Sequence, residues 1–286
     1  MWILLAILSA VMLGMYDVAK KQALRRNGVL DVLLAATALS TLFVSPFFRI
    51  GPPEDHIRLM LKAVLVTLSW VSGMRGLKLL PLTTVSTIKG SRPVFVVLFS
   101  VLLLGEKLAP LQWAGVLTVI SALFLLGRTG RDDAPVQARR SGFFWMGVSV
   151  LSGVASALYD KHIMTAMEPL FVQSWTNLYI TALLFLLILI RRCAGAREAK
   201  TGLFTGFRWD WTLLLVALLI TGADALYFFS LKVPGAMLSI ISVIRRASVL
   251  VTFACGALLF REKGLKAKTF NMLLLAAGVV MLLAGS

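Results

Sequence analysis

The stretch SIISVIRRASVLVTFACGALLFREK, residues Ser239–Lys263, decides the fold of this chain. It is apolar enough to cross a bilayer, yet Arg245 and Arg246 stand side by side within its first half. At about 1.5 Å per residue, the two guanidinium groups lie roughly 10 Å inside such a helix. A charge at that depth costs about 2.5–3.5 kcal/mol on insertion scales, so it normally faces a cavity or a partner. We therefore expect a buried cationic site inside a membrane-spanning helix.

The composition excludes several classes of protein. Of 286 residues, 59% are hydrophobic and only 15% are charged, whereas soluble domains have about 25% charged residues. The net charge of +16 lies mostly in short loops between apolar runs, which leaves no soluble domain to bind nucleic acid. The two cysteines have neither disulfide nor metal spacing, and no phosphate loop or nucleophile triad occurs. We expect an integral membrane protein in contact with the lipid bilayer, without enzymatic activity, cofactor, metal or nucleic-acid partner.

Apolar runs of bilayer length divide the chain into ten predicted transmembrane helices. The first run lacks a basic region and a small-residue cleavage site, so we interpret it as a span rather than a signal peptide. The predicted spans are 2–22, 28–48, 61–79, 82–104, 110–127, 142–164, 168–190, 211–232, 234–260 and 265–284.

The two halves of the sequence repeat each other. Trp2, Ser9, Tyr16 and Asp17 recur 143 positions later as Trp145, Ser152, Tyr159 and Asp160. The pair Glu106-Lys107 recurs 156 positions later as Glu262-Lys263, which aligns Lys89 with Arg245. Each unit holds five spans, an odd number, so the second enters the membrane in the opposite sense. The predicted fold is an all-α membrane protein of two inverted five-helix repeats, at 1–130 and 140–286.

The segment Ser86–Lys107, STIKGSRPVFVVLFSVLLLGEK, and the stretch quoted above resemble the drug/metabolite transporter (DMT) superfamily. The resemblance to its EamA-type ten-helix members extends over essentially the whole chain. The TIK-x-x-x-P pattern and the basic pair before REK also resemble the triose-phosphate and nucleotide-sugar translocator branch. That resemblance implies that Lys89, Arg245 and Arg246 hold a substrate phosphate. It also implies a multi-pass protein of a bacterial inner (plasma) membrane.

The side chains favour an anion independently of this resemblance. Arginine binds a carboxylate or phosphate through a planar fork, and lysine adds a compact charge. Lys89 and Arg92 share a helix face, and Ser242 lies one turn before Arg246. The predicted substrate-binding residues are Lys89, Arg92, Arg245, Arg246, Ser86, Ser242 and Tyr227. The alternative is that the cations only neutralise acids within the bundle, although five bases face three acids there.

Three acids in or near the spans are candidates for coupling or gating. Asp17 and Asp160 occupy equivalent positions in the two halves, each after a tyrosine. Each could carry a coupling proton, although tethering a basic side chain is the interpretation that we favour. Asp224, one turn before Tyr227, is the better candidate for a gated or proton-linked acid.

These observations predict a secondary-active transporter that moves a small organic anion by alternating access. A surplus of positive charge in the empty cavity would favour exchange of one anion for another. Two alternatives stay open: a proton-driven exporter of amino acids or related metabolites with its arginines in ion pairs, and a scaffold or lipid-handling membrane protein. Basic residues favour one set of loops by eighteen to six, whereas the resemblance implies cytoplasmic termini, so orientation stays open. A homodimer also stays open.

Overall fold

The computed structural model describes residues 1–24, 27–80, 88–89, 91–127, 136–193, 208–260 and 265–285. In these ranges the regular secondary structure is helical, which confirms the all-α fold. The α-helices are α1 (Trp2–Ala23), α2 (Val29–Phe43), α3 (Pro53–Leu79), α4 (Arg92–Leu104), α5 (Pro110–Gly127), α6 (Val136–Ala166), α7 (Pro169–Cys193), α8 (Trp211–Lys232), α9 (Leu238–Arg246), α10 (Ser248–Phe260) and α11 (Leu265–Ala284), and a 3₁₀ turn (Ser45–Phe47) follows α2.

The helices are long and apolar enough for a membrane protein. Five contain stretches that could cross a bilayer: Trp2–Lys20, Pro53–Gly76, Arg140–Ala166, Pro169–Ile190 and Trp211–Lys232. Shorter apolar stretches lie in α2, α4, α5 and α11. Many large apolar side chains on these helices face outward, as a lipid-exposed surface requires.

The stretch that carries the two arginines is helical on both sides of a tightened turn at Ala247. The backbone N–H of Ala247 donates to the carbonyl oxygens of Val243 and Ile244, at 3.3 and 2.9 Å. The second of these bonds is the tighter i to i−3 type, and Ala247 keeps right-handed helical dihedrals (φ −64°, ψ −6°) between α9 and α10. The arginine pair therefore lies immediately before a tightened turn in the interior of the predicted ninth span.

The start of the third span also differs from the prediction. The structure begins α3 at Pro53, whereas the apolar run predicted a span from residue 61. A proline at the first helical position and acids in the first turn, here Glu54 and Asp55, stabilise this earlier start. The shift places Lys62 nine residues inside the helix, at a depth of about 14 Å.

The main contacts between the two halves correspond when each span of the first half is exchanged with its counterpart in the second. Helix α1 packs on α8 as α3 packs on α6, and α1 packs on α9 as α4 packs on α6. Helices α4 and α9 pack together, as do α5 and α11. This packing is the one expected of a duplicated chain. The inverted sense of the second repeat and the boundaries at 130 and 140 stay predictions.

Close helix contacts form where glycines face a neighbouring helix. Gly115 of α5 lies against Gly278 and Leu282 of α11, and a Cβ on Gly115 would come within 2.8 Å of the Gly278 carbonyl oxygen. Because that contact is with backbone, the helices would have to separate to admit a side chain.

We expect Gly115→Val to lower the free energy of unfolding by about 1–3 kcal/mol, because the α5–α11 pair cannot close around the added atoms. The measurement is thermal unfolding of the purified protein in detergent. Gly147→Val is the matched control, since no atom lies within 4 Å of a Cβ built there. An equal loss in both variants would contradict the packing interpretation.

Candidate functional site

A buried ion pair joins α3 to α6. Lys62 Nζ donates to Asp160 Oδ1, and the two side chains are only 4% and 7% exposed. The Tyr227 hydroxyl of α8 donates to the other carboxylate oxygen at 3.3 Å. Lys62 also lies over the Phe228 ring, 4.8 Å from its centroid. Asp160 is thus saturated by partners from two other helices and has the geometry of a tether.

Lys62 is the residue of this site that the sequence interpretation missed, because the predicted span 61–79 leaves it at the helix end, where its charge is counted with those of the adjoining loop. The structure places it inside α3. The signal that could have found it is the Pro-Glu-Asp helix start, which extends α3 by eight residues before the apolar run.

A second ion pair joins α8 to α9 and is less buried than the first. Arg245 Nη2 donates to Asp224 Oδ1 at 2.8 Å, and the side chains are 18% and 33% exposed. The guanidinium carbon of Arg245 also lies 4.2 Å from the centroid of the Tyr227 ring. Because Tyr227 binds Asp160, the two ion pairs form one connected network of Lys62, Asp160, Tyr227, Arg245 and Asp224.

Arg246, the neighbour of Arg245 on α9, is incompletely paired. Its Nε atom is buried and has no hydrogen-bond partner in the part of the chain that the structure describes. The acid whose charge acts on it is Asp17 of α1. A buried guanidinium N–H without an acceptor is costly, so the site has capacity for a further acceptor.

Two more cations from the first half face the same interior. Arg92, at the start of α4, donates to the Gly153 carbonyl of α6, and its guanidinium occupies the space a side chain on Gly153 would need. Lys89 is exposed, and its Nζ would lie 3.5 Å from a Cβ on Gly73 of α3. The positive charges of Lys89, Arg92 and Arg246 repel one another, as expected of neighbouring cations.

A carboxylate from the first half fixes the helix that carries the arginine pair. Glu106 accepts hydrogen bonds from the backbone N–H groups of Leu238 and Ser239, at 2.5 and 3.0 Å, and from the Ser239 hydroxyl. These backbone N–H groups at the start of α9 have no partner within the helix, and a negative charge at this position also interacts favourably with the helix dipole. Gly105, with φ +67°, ends α4 in the left-handed conformation that directs Glu106 toward α9.

The structure describes six of the seven predicted binding residues. Lys89, Arg92, Arg245, Arg246 and Tyr227 converge, and Ser242 is half-buried one turn before Arg246. Ser86 lies outside the described residues. Of the predicted acids, Asp224 and Asp160 are in ion pairs, and Asp17 is exposed near Lys20 and Arg246. No cluster of metal-ligating side chains occurs among the described residues.

The comparisons with known proteins agree with this architecture. The EamA-like transporter family matches residues 1–128. A solved crystal structure with no stated function shares the fold at a TM-score of 0.75 and 14% identity, over 98% of this chain and 97% of its own. At that identity, the likeness shows the fold alone. No curated protein matches the chain.

We expect Lys62→Met and Asp160→Asn each to lower the free energy of unfolding strongly, by about 3–5 kcal/mol where the partner charge stays buried and unpaired. The double variant should lose less than the sum, which a double-mutant cycle in thermal unfolding measures.

Arg58→Met is the control for the loss of an exposed ion pair. Arg58 lies 3.7 Å from Asp55 on the same helix, with 47% and 24% of the side chains exposed, and its loss should cost about 0–1 kcal/mol. Simple additivity of the two buried substitutions would contradict the pairing.

Proposed function

We propose that this chain is a secondary-active membrane transporter with an EamA-type fold, and that its substrate is a small organic anion with a phosphate or carboxylate group. In this proposal it is a multi-pass integral protein of a bacterial inner membrane and has no enzymatic activity. The family match over residues 1–128 supports transport of a small molecule. The nature of the substrate is argued from the side chains of the site.

The observation that carries the proposal is the excess of interior cations over acids that bind them. Among the described residues, the charges of Lys89, Arg92, Arg245 and Arg246 act on one another, whereas Asp224 binds Arg245 and the charge of Asp17 acts on Arg246. Lys62 and Asp160 neutralise each other and add nothing to the balance. Clustered positive charges at bilayer depth are stable only when water or an anion reaches them. A substrate anion is the partner that this arrangement fits.

The geometry also suits anion binding in detail. Arg246 Nε lacks an acceptor among the described residues, and arginine and lysine together give forked and point contacts to phosphate or carboxylate oxygens. Both arginines precede the tightened turn at Ala247, in the interior of the predicted ninth span.

The second candidate function is a proton-driven exporter of amino acids or related metabolites. The Arg245–Asp224 ion pair favours this exporter, because arginines that are paired with interior acids would not be available to bind an anion. The unpaired Nε of Arg246 and the exposed Lys89 favour the first candidate. A ligand screen discriminates between the two.

Alternating access is the proposed mechanism. The two halves pack mainly against each other, so rocking one half against the other would expose the site to each side in turn. The Glu106 bonds to α9 tie the halves together at one end and would have to break and reform during this movement.

We expect orthophosphate, glycerol 3-phosphate or malate to raise the unfolding temperature of the purified protein, whereas glycerol and neutral amino acids do not. Arg246→Gln and Arg245→Gln should each weaken anion binding by about 10–100-fold, the usual cost of one charge-assisted hydrogen bond. Arg49→Gln is the matched control, because Arg49 pairs with Glu168 at an exposed position far along the chain. Unchanged stabilisation in both site variants would remove these arginines from the site.

We expect uptake of the bound anion into proteoliposomes to be faster with an anion inside, since the unloaded site carries surplus positive charge across the bilayer. The measurement compares loaded with empty vesicles at equal pH on both sides. Equal uptake in the two, in the absence of a proton gradient, would contradict exchange.

A further inference from the structure

We propose that Asp224 is a displaceable internal counter-anion: its carboxylate occupies Arg245 while the site is empty and leaves when the substrate anion binds. This inference rests on the proposed function of the same site. It concerns how the site selects and releases its ligand, and it assigns Asp224 a role in competition with the substrate.

The contact itself has the form of a replaceable one. Arginine can bind a carboxylate through two parallel bonds, but Asp224 makes one ion-pair contact, from Nη2 to Oδ1 at 2.8 Å. The two residues lie on different helices, α8 and α9, and a rotation of the short Asp224 side chain would separate them. A substrate with three oxygens would offer Arg245 more bonds than Asp224 does.

Comparison with the other interior ion pair separates a permanent tether from a replaceable partner. Lys62 and Asp160 are 4% and 7% exposed, and Tyr227 fills the second oxygen of Asp160. Arg245 and Asp224 are 18% and 33% exposed, so an incoming anion can reach them. An ion pair between a basic residue and an aspartate therefore occurs twice in one network, once buried and once partly exposed.

Arg245 is held in place without Asp224. Its guanidinium stacks on the Tyr227 ring at 4.2 Å, and the Tyr227 hydroxyl is itself fixed by Asp160. Cation–π contact keeps the arginine oriented while leaving its N–H groups available. When the Asp224 carboxylate moves away, the Arg245 guanidinium would therefore keep its orientation, with its N–H groups available to the substrate.

Two consequences follow from competition for Arg245. The substrate must displace a carboxylate, so the affinity of the wild-type protein is lower than the donors alone would give. The empty site also carries one positive charge less than it would without Asp224, which eases the return of the unloaded protein across the bilayer.

The test measures glycerol 3-phosphate and orthophosphate binding to purified wild-type protein, Asp224→Asn and Asp224→Ser. We expect the dissociation constant to fall about three- to tenfold in both variants, as when a competing, partly exposed ion pair is removed. Asp55→Asn is the matched control, an aspartate paired with Arg58 at 3.7 Å outside the site, and should change affinity by less than about 1.5-fold. In an Arg245→Gln background, the gain from Asp224→Asn should vanish.

A transport measurement adds a readout that a purely structural role would not move. In proteoliposomes, Asp224→Asn should lower uptake into empty vesicles relative to vesicles loaded with anion, while its affinity rises. Both Asp224→Asn and Asp224→Ser are made so that the test still stands if one of them misfolds. Size-exclusion profiles show which variants are folded.

The outcomes separate this inference from the function that it rests on. Anion binding by the wild type with unchanged or weaker affinity in the Asp224 variants would overturn the counter-anion and leave the proposed function standing. Binding that appears only in the Asp224 variants would support the counter-anion. Absence of anion binding in all variants would overturn both.

Discussion

An ionised side chain inside a bilayer needs a partner or water, and the arrangement of this molecule follows from that requirement. Lys62 meets it completely, buried against Asp160 and Phe228. Arg245 meets it partly, through Asp224 and the face of Tyr227. Arg246 and Lys89 meet it least among the described residues. Charge pairing is thus most complete at the buried Lys62 and least complete at Arg246 and Lys89. We expect the ligand to bind near the least completely paired cations.

The network also links binding to the packing of the two halves. Its members come from α3 in the first half and α6, α8 and α9 in the second, and each residue touches the next. Contacts therefore run from Arg245 through Tyr227 to the ion pair that fastens α3 to α6. Glu106 adds a second link, because a residue of the first half holds the start of the helix that carries both arginines. Under the proposed function, substrate binding at Arg245 and the relative position of the halves would depend on the same contacts.

The sequence predicted the fold well because apolar run length and composition are local properties. The depth of Arg245 and Arg246 in a bilayer stays a prediction from their position along one apolar run. The sequence could not identify the partners: Asp160 meets Lys62 across 98 positions, and no periodicity states which helix faces which. The tightened turn at Ala247 was also missed, because it involves no distinctive residue such as glycine or proline. Lys62 was misplaced by a boundary error of eight residues.

The helices of each half pack mainly on helices of the other half, and this has a consequence for assembly during synthesis. Helices α1, α3, α4 and α5 find their main neighbours in α8, α6, α9 and α11, all of which are synthesised later. The newly made first half must therefore remain in the lipid with the glycine-bearing surface of α5 unpacked and Arg92 without its partner on α6. Assembly is completed only after α11 has left the ribosome, so a pause or truncation between the halves would leave an unassembled product that cellular quality control can recognise.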